Sequence, residues 1–177
     1  MTLEKILQTH FGVSEAYKAK QHDTATPHRH MTEAGEAGLH KLVELMHELD
    51  ELLEGDMGLQ SLIEELAETT GNEILEDMAE AGKSGAFDYN PDNARRVDVD
   101  YILVQYYNNK TNFMHTPRNT GKKEANGRPI YTPLTISGEK AYNQLLALVS
   151  DLGELFDGRF DSVDTAMVLD ALVRDEI

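Results

Sequence analysis

"GLHKLVELMHELDELLEGDMG" (residues 38–58) decides how the N-terminal half is read. Leu39, Leu42, Val43, Leu45, Met46, Leu49, Leu52 and Leu53 recur at three- and four-residue spacing, which gathers them on one broad arc of a helix. Thr32 is the expected N-cap and Gly55 the expected stop, so the helix should end near Glu54. Downstream, Leu59, Leu62, Ile63, Leu66, Ile74, Leu75 and Met78 continue the period to about Ala81. Thr70-Gly71-Asn72 should kink or split that second helix, since glycine costs roughly 1 kcal/mol in a helix interior. Upstream, Thr2 should cap a short helix carrying Leu3, Ile6 and Leu7 that stops near Gly12, and Ser14 should cap another over SEAYKAKQ.

The pattern changes after Gly82, which reads as a helix stop. "RRVDVDYILVQYYNN" (95–109) is β-branched and aromatic with an alternating start, and reads as a strand. "KTNFMHTPRNTGKKEANG" (110–127) reads as a long polar loop. "RPIYTPLTI" (128–136) reads as a second strand, with Ile130, Leu134 and Ile136 facing one way and Pro129 and Pro133 confining it to an edge. A helix from Gly138 to Phe156, capped by Ser137, and another from about Val163 to Val173 follow. The expected fold is a single α+β domain over 1–177, with four or five helices and a small antiparallel pair of strands. Its parts are an acidic helical region at about 32–82, a strand–loop–strand region at about 95–136 and C-terminal helices at about 138–175.

Composition narrows the chemistry. Without cysteine, disulfides, thiolate metal sites and thiol nucleophiles are excluded. Apolar runs are far shorter than the roughly 20 residues of a bilayer span, and the first residues do not form a secretory signal, so a soluble, cytoplasmic protein is expected. A net charge of −16 disfavours direct contact with nucleic acid or anionic membranes and favours a basic partner. Residues 33–80 hold fifteen acids and one base, Lys41, for a net −14.

Between the apolar positions of the opening stretch, His40, Glu44, His47, Glu51 and Glu54 fall on one flank. His40, Glu44 and His47 are the candidate ligands for a divalent metal, the one cofactor considered. Glu44 and His47 also form one E-x-x-H pair, the half-motif of di-iron bundles, but no second such pair exists in the chain. A solvated helix flank is the plainer reading. His22, Asp23, His28 and His30 make a second candidate in a proline-containing loop.

Glu48/Glu51, Glu51/Glu54 and Glu65/Glu68 fit the E-x-x-E of the all-α nucleotide pyrophosphohydrolases, which that pattern resembles. The resemblance implies magnesium-dependent nucleotide hydrolysis. The E-x-x-D that should follow one helix later occurs only at Glu154/Asp157, so the family is not assigned. "AGKS" (81–84) lacks the first glycine of a phosphate-binding loop, and "FGVS" (11–14) has Lys18 where a helix-turn-helix buries an aliphatic residue. No G-x-S-x-G and no glycine-rich dinucleotide loop is present.

The best-supported expectation is a non-enzymatic acidic protein-binding domain. Glu44, Glu48, Glu51, Glu54, Glu64, Glu65, Glu68, Glu76 and Asp77 would imitate a phosphate backbone and occupy the basic groove of a nucleic-acid-binding protein. Phage proteins that block host enzymes share this size and charge. The alternatives are a structural or assembly component of a virion or scaffold, and a metal-dependent nucleotide pyrophosphohydrolase. Residues 110–128 sum to +4, and there Arg118, Lys122 and Lys123 could hold an anion or an acidic partner, including a second copy of this chain.

Overall fold

The computed structural model describes residues 1–18, 30–85 and 97–175. They form an α+β architecture, mainly helical, with seven helices and two antiparallel strand pairs. Contacts group the chain into two compact units, Met1–Arg96 with Asp151–Asp161, and Val97–Ser150 with Ser162–Ile177.

The first unit is built on α1 (Leu3–Phe11), α2 (Glu33–Leu52), α3 (Leu59–Thr70) and α4 (Glu73–Lys83), with the short strands β1 (Tyr17–Lys18) and β2 (His30–Met31). Thr2 and Thr32 cap α1 and α2 through their hydroxyls, which accept from Lys5 N and Gly35 N. On α2 the expected apolar arc is buried from Leu39 to Leu49. Among the described residues, 14–18, no helix follows Ser14. Glu15 takes φ 53, which a helix cannot continue through, and the Ala16 carbonyl instead accepts from Thr32 N at 3.2 Å. The N-terminal turn of α2 comes so close there that a Cβ on Gly35 would overlap the Ala16 carbonyl oxygen.

The second acidic helix is split. Gly71 at φ 61 ends α3, and the Asn72 side chain caps α4 by accepting from Ile74 N and Leu75 N at 3.0 and 3.2 Å. Gln60, near the start of α3, donates to the Ala79 carbonyl near the end of α4 at 2.9 Å, so the two helices form an antiparallel hairpin. Gly82 is not a stop; it is buried within α4, which runs on to Lys83. Residues 151–161 complete this unit with buried Leu152, Phe156 and Phe160.

The second unit contains α5 (Val99–Tyr107), the strands β3 (Phe113–Lys123) and β4 (Pro129–Leu134), most of α6 (Ile136–Leu155), and α7 (Ser162–Asp175). The 95–109 stretch is therefore a helix over its described part, not a strand. The Asp98 carboxylate caps it by accepting from Tyr101 N at 2.8 Å, and Val99, Ile102 and Leu103 bury one face. The apparent alternation of VDVD is a cap and a first turn.

The expected polar loop of 110–127 is mostly β3. It pairs antiparallel with β4 in the register Phe113↔Leu134, Arg118↔Thr132, Asn119↔Tyr131 and Lys123↔Pro129, with two irregularities. Residues 121–131 are exposed on both faces of this ribbon, so no apolar alternation marks them in the sequence. Of the three residues expected to share a face, only Leu134 is buried. Ile130 is exposed, and Ile136 opens α6 fully in the solvent at 74% exposure. The cap of α6 is Thr135, whose hydroxyl accepts from Gly138 N at 3.0 Å, rather than Ser137. Thr135 is fixed in turn by its own N–H, which donates to the Asn112 carbonyl at 2.9 Å.

Among the described residues, no helix is long and apolar enough to cross a membrane.

Candidate protein-binding surfaces

The acids of 33–80 separate by how their helices bury them. On α4, Leu75, Ala79 and Gly82 face inward, which turns Glu73, Glu76, Asp77 and Glu80 to solvent along one face at i, i+3, i+4 and i+7. Those four carboxylates cover roughly 10 Å of helix axis, about one charge per 3.5 Å. A single strand of DNA carries about one per 3.4 Å. Glu44 and Glu51 lie on the outer face of α2, and Glu54, Asp56 and Glu68 are also exposed.

Several of the other acids are engaged or buried. Glu64 accepts from the Gln60 amide at 2.6 Å, and Glu65 pairs with Arg159 at 2.5 Å; both are half-buried, as is Glu48. Neutralisation from Arg159 was not visible in the sequence, because that base lies 94 positions away. Glu80 accepts from Lys83 at 2.6 Å, and this hydrogen bond holds the ammonium above its ordinary range. Asp50 is not a surface charge at all. It is buried beneath the turn after α2, where Oδ1 accepts from Met57 N at 3.1 Å. Burial raises its pKa, against the Met57 hydrogen bond and with repulsion from Asp56 and Glu51. The exposed acids left to a partner are thus Glu33, Glu44, Glu51, Glu54, Asp56, Glu68, Glu73, Glu76 and Asp77.

His40, Glu44 and His47 are not gathered into a metal-holding group; among the described residues no three or more His, Asp or Glu side chains are. His40 and His47 are two turns apart, roughly 10 Å along the axis, whereas bonds of about 2 Å require ligand atoms to converge. Glu44 points to solvent, while His40 and His47 are half-buried. Burial lowers the pKa of His47. The candidate at His22, Asp23, His28 and His30 falls outside the described residues, apart from the His30 backbone in β2. Glu154 and Asp157 do not share a helix, since Asp157 stands past the end of α6 at φ 49. The FGVS turn leads from α1 into β1 and not into a recognition helix.

The basic residues divide as the acids do. Arg118 is held within its own unit, donating to Glu139 of α6 and through Nε to the Leu134 carbonyl at 3.4 Å, so it is not free to meet an anion. Lys122, Lys123 and Arg128 are exposed at the distal end of the β3–β4 ribbon. Its turn is closed by Glu124 N to Arg128 O at 2.8 Å and Gly127 N to Glu124 O at 2.9 Å. Beside them Tyr131 is 54% exposed and Ile130 37%. Tyr131 and Pro129 are two residues apart and share a face with their partners Asn119 and Lys123. Arg118, whose side chain reaches α6, is paired with Thr132 on the other face.

One feature no sequence signal announces is His10, whose Nε2 lies 2.6 Å from Asp151 Oδ2. These side chains are 6% and 18% exposed and tie α1 to the end of α6 across 141 residues of chain. Comparison with known protein families, characterised proteins and solved structures returns no match for this chain.

Proposed function

We propose that the protein is a non-enzymatic binding domain whose acidic helices occupy the basic groove of a nucleic-acid-binding protein. The observation that carries this reading is the α4 row of Glu73, Glu76 and Asp77, exposed on one helical face at a charge spacing close to that of a phosphate backbone. Glu44 and Glu51 extend the same chemistry on α2. The helix fixes the backbone positions of these carboxylates before binding, so the backbone needs no further ordering on association. Long-range attraction then speeds encounter with a basic surface, and falls away beyond about 8 Å at physiological ionic strength.

The test is titration of immobilised protein with a panel of basic DNA-binding domains, with duplex DNA as competitor. At least one should bind, with affinity falling steeply as salt rises, and DNA should displace it. The combined substitution Glu73→Gln, Glu76→Gln and Asp77→Asn should weaken that binding tenfold or more at unchanged helix content, since Gln propagates a helix about as well as Glu. Undiminished affinity in that variant would overturn the reading.

A further inference from the structure

We infer that the distal β3–β4 ribbon is a second docking surface, and that its occupant is the acidic helical face of another copy of this chain. The inference rests on the reading of that face as a protein-binding surface.

Three observations converge on the ribbon. First, residues 121–131 are exposed on both faces, yet an isolated two-stranded hairpin is marginal in water without something packed against it. Second, the face away from α6 combines an apolar anchor with a cation: Tyr131 at 54% exposure shares it with the pair Lys123–Pro129, and Lys122 and Arg128, neighbours of that pair in the chain, are exposed as well. Tyrosine and arginine are enriched at interface hot spots, and Tyr131 and Arg128 supply both on the exposed part of this ribbon. Third, the charge on this ribbon selects its occupant. Residues 110–128 sum to +4, so two ribbons pairing edge to edge would oppose each other, whereas the −14 carried by residues 33–80 supplies a complement in every copy.

Joining unlike surfaces makes the contact heterologous. Copies then add head to tail, closing into a ring or extending as a filament according to the rotation between neighbours. The ribbon is well suited to such a contact because Arg118, bound to Glu139, anchors its base while the cations at its tip remain exposed.

The experiment is mass measurement in solution over a range of concentration and salt, on wild type and two charge-reversed variants. One carries Lys122→Glu, Lys123→Glu and Arg128→Glu; the other carries Glu73→Lys, Glu76→Lys and Asp77→Lys. All six positions are exposed, and circular dichroism and melting should confirm that both variants fold. Wild type should form assemblies that grow with concentration and shrink with salt, and each variant alone should self-associate at least tenfold more weakly. An equimolar mixture of the two variants should recover assembly, because each now offers what the other lacks. Monomeric wild type at low salt, unchanged association in the ribbon variant, or failure of the mixture to recover would each overturn the inference. The ribbon variant should also bind a basic DNA-binding domain as wild type does. Wild type that binds a basic DNA-binding domain yet stays monomeric at low salt would overturn this inference while leaving the proposed function standing.

Discussion

Two hairpins, one of helices and one of strands, carry the charge of this protein in opposite ways. The α3–α4 hairpin buries Leu62, Ile63, Leu66, Leu75 and Ala79 on its inner side and sets its acids on the outer one. Each helix therefore holds its charges in fixed register whether or not a partner is present. The β3–β4 ribbon has no inner side over its distal half, and local hydrogen bonds order it: Thr120 Oγ1 to Ile130 O at 2.9 Å, Gly121 N to Asn119 Oδ1 at 2.8 Å and the Glu124–Arg128 closure. Charge displayed on the back of a core is independent of folding only while that core is intact. Charge displayed on a ribbon with two wet faces is almost uncoupled from global stability.

Core truncation should break this comparison most visibly. Ile63 is fully buried, so Ile63→Ala should cost about 2–5 kcal/mol in denaturant unfolding, while Tyr131→Ala, in protein kept monomeric by dilution and salt, should stay within about 0.5 kcal/mol of wild type. Comparable losses at the two positions would mean that the ribbon is packed against something in solution.

A smaller effect should come from Asp50. Removing its acceptor in Asp50→Ala strands the buried Met57 N–H and should cost about 1–3 kcal/mol. Asp50→Asn keeps an acceptor and deletes the charge. Because burial raises the carboxyl above 3.8, the folded state favours its protonated form. That stabilisation is complete below pH 3.8 and is lost as pH rises through the raised value. The asparagine variant should accordingly match or exceed wild type at neutral pH, with its advantage vanishing below pH 3.8 in melts recorded across that range. An advantage that persists under acid would assign the effect to packing.

Smallest of all should be the cap of α6. Thr135→Ala should lose about 1 kcal/mol and Ser137→Ala next to nothing, because the hydroxyl that meets Gly138 N belongs to Thr135.

How far the sequence could be read follows from where water lies. The helices of 33–83 were legible because one face of each is dry, which imprints a 3.6-residue period on the chain. β3 was not legible, because most of its residues meet solvent on either face and no period-2 signal arises. α5 was misread because β-branched and aromatic residues were given more weight than the Asp98 cap. Of the surface acids, the wheel set Glu44, Glu51 and Glu54 on an outer flank, but it did not single out Glu73 or separate the half-buried Glu48, Glu64 and Glu65. The engagement of Glu65 by Arg159 and the buried His10–Asp151 pair are tertiary facts with no local trace.

The first unit is closed by residues that arrive late in synthesis. Asp151, which holds His10, and Arg159, which holds Glu65, are made long after Arg96 ends the N-terminal part of that unit. At about 5–20 residues per second, the roughly 65 residues up to Asp161 take some 3–13 s to add. Until that interval ends, the acidic helices lack Phe156 and Phe160. The mutual repulsion of their carboxylates then acts as a temporary solubiliser, keeping incomplete chains from one another until the missing piece emerges.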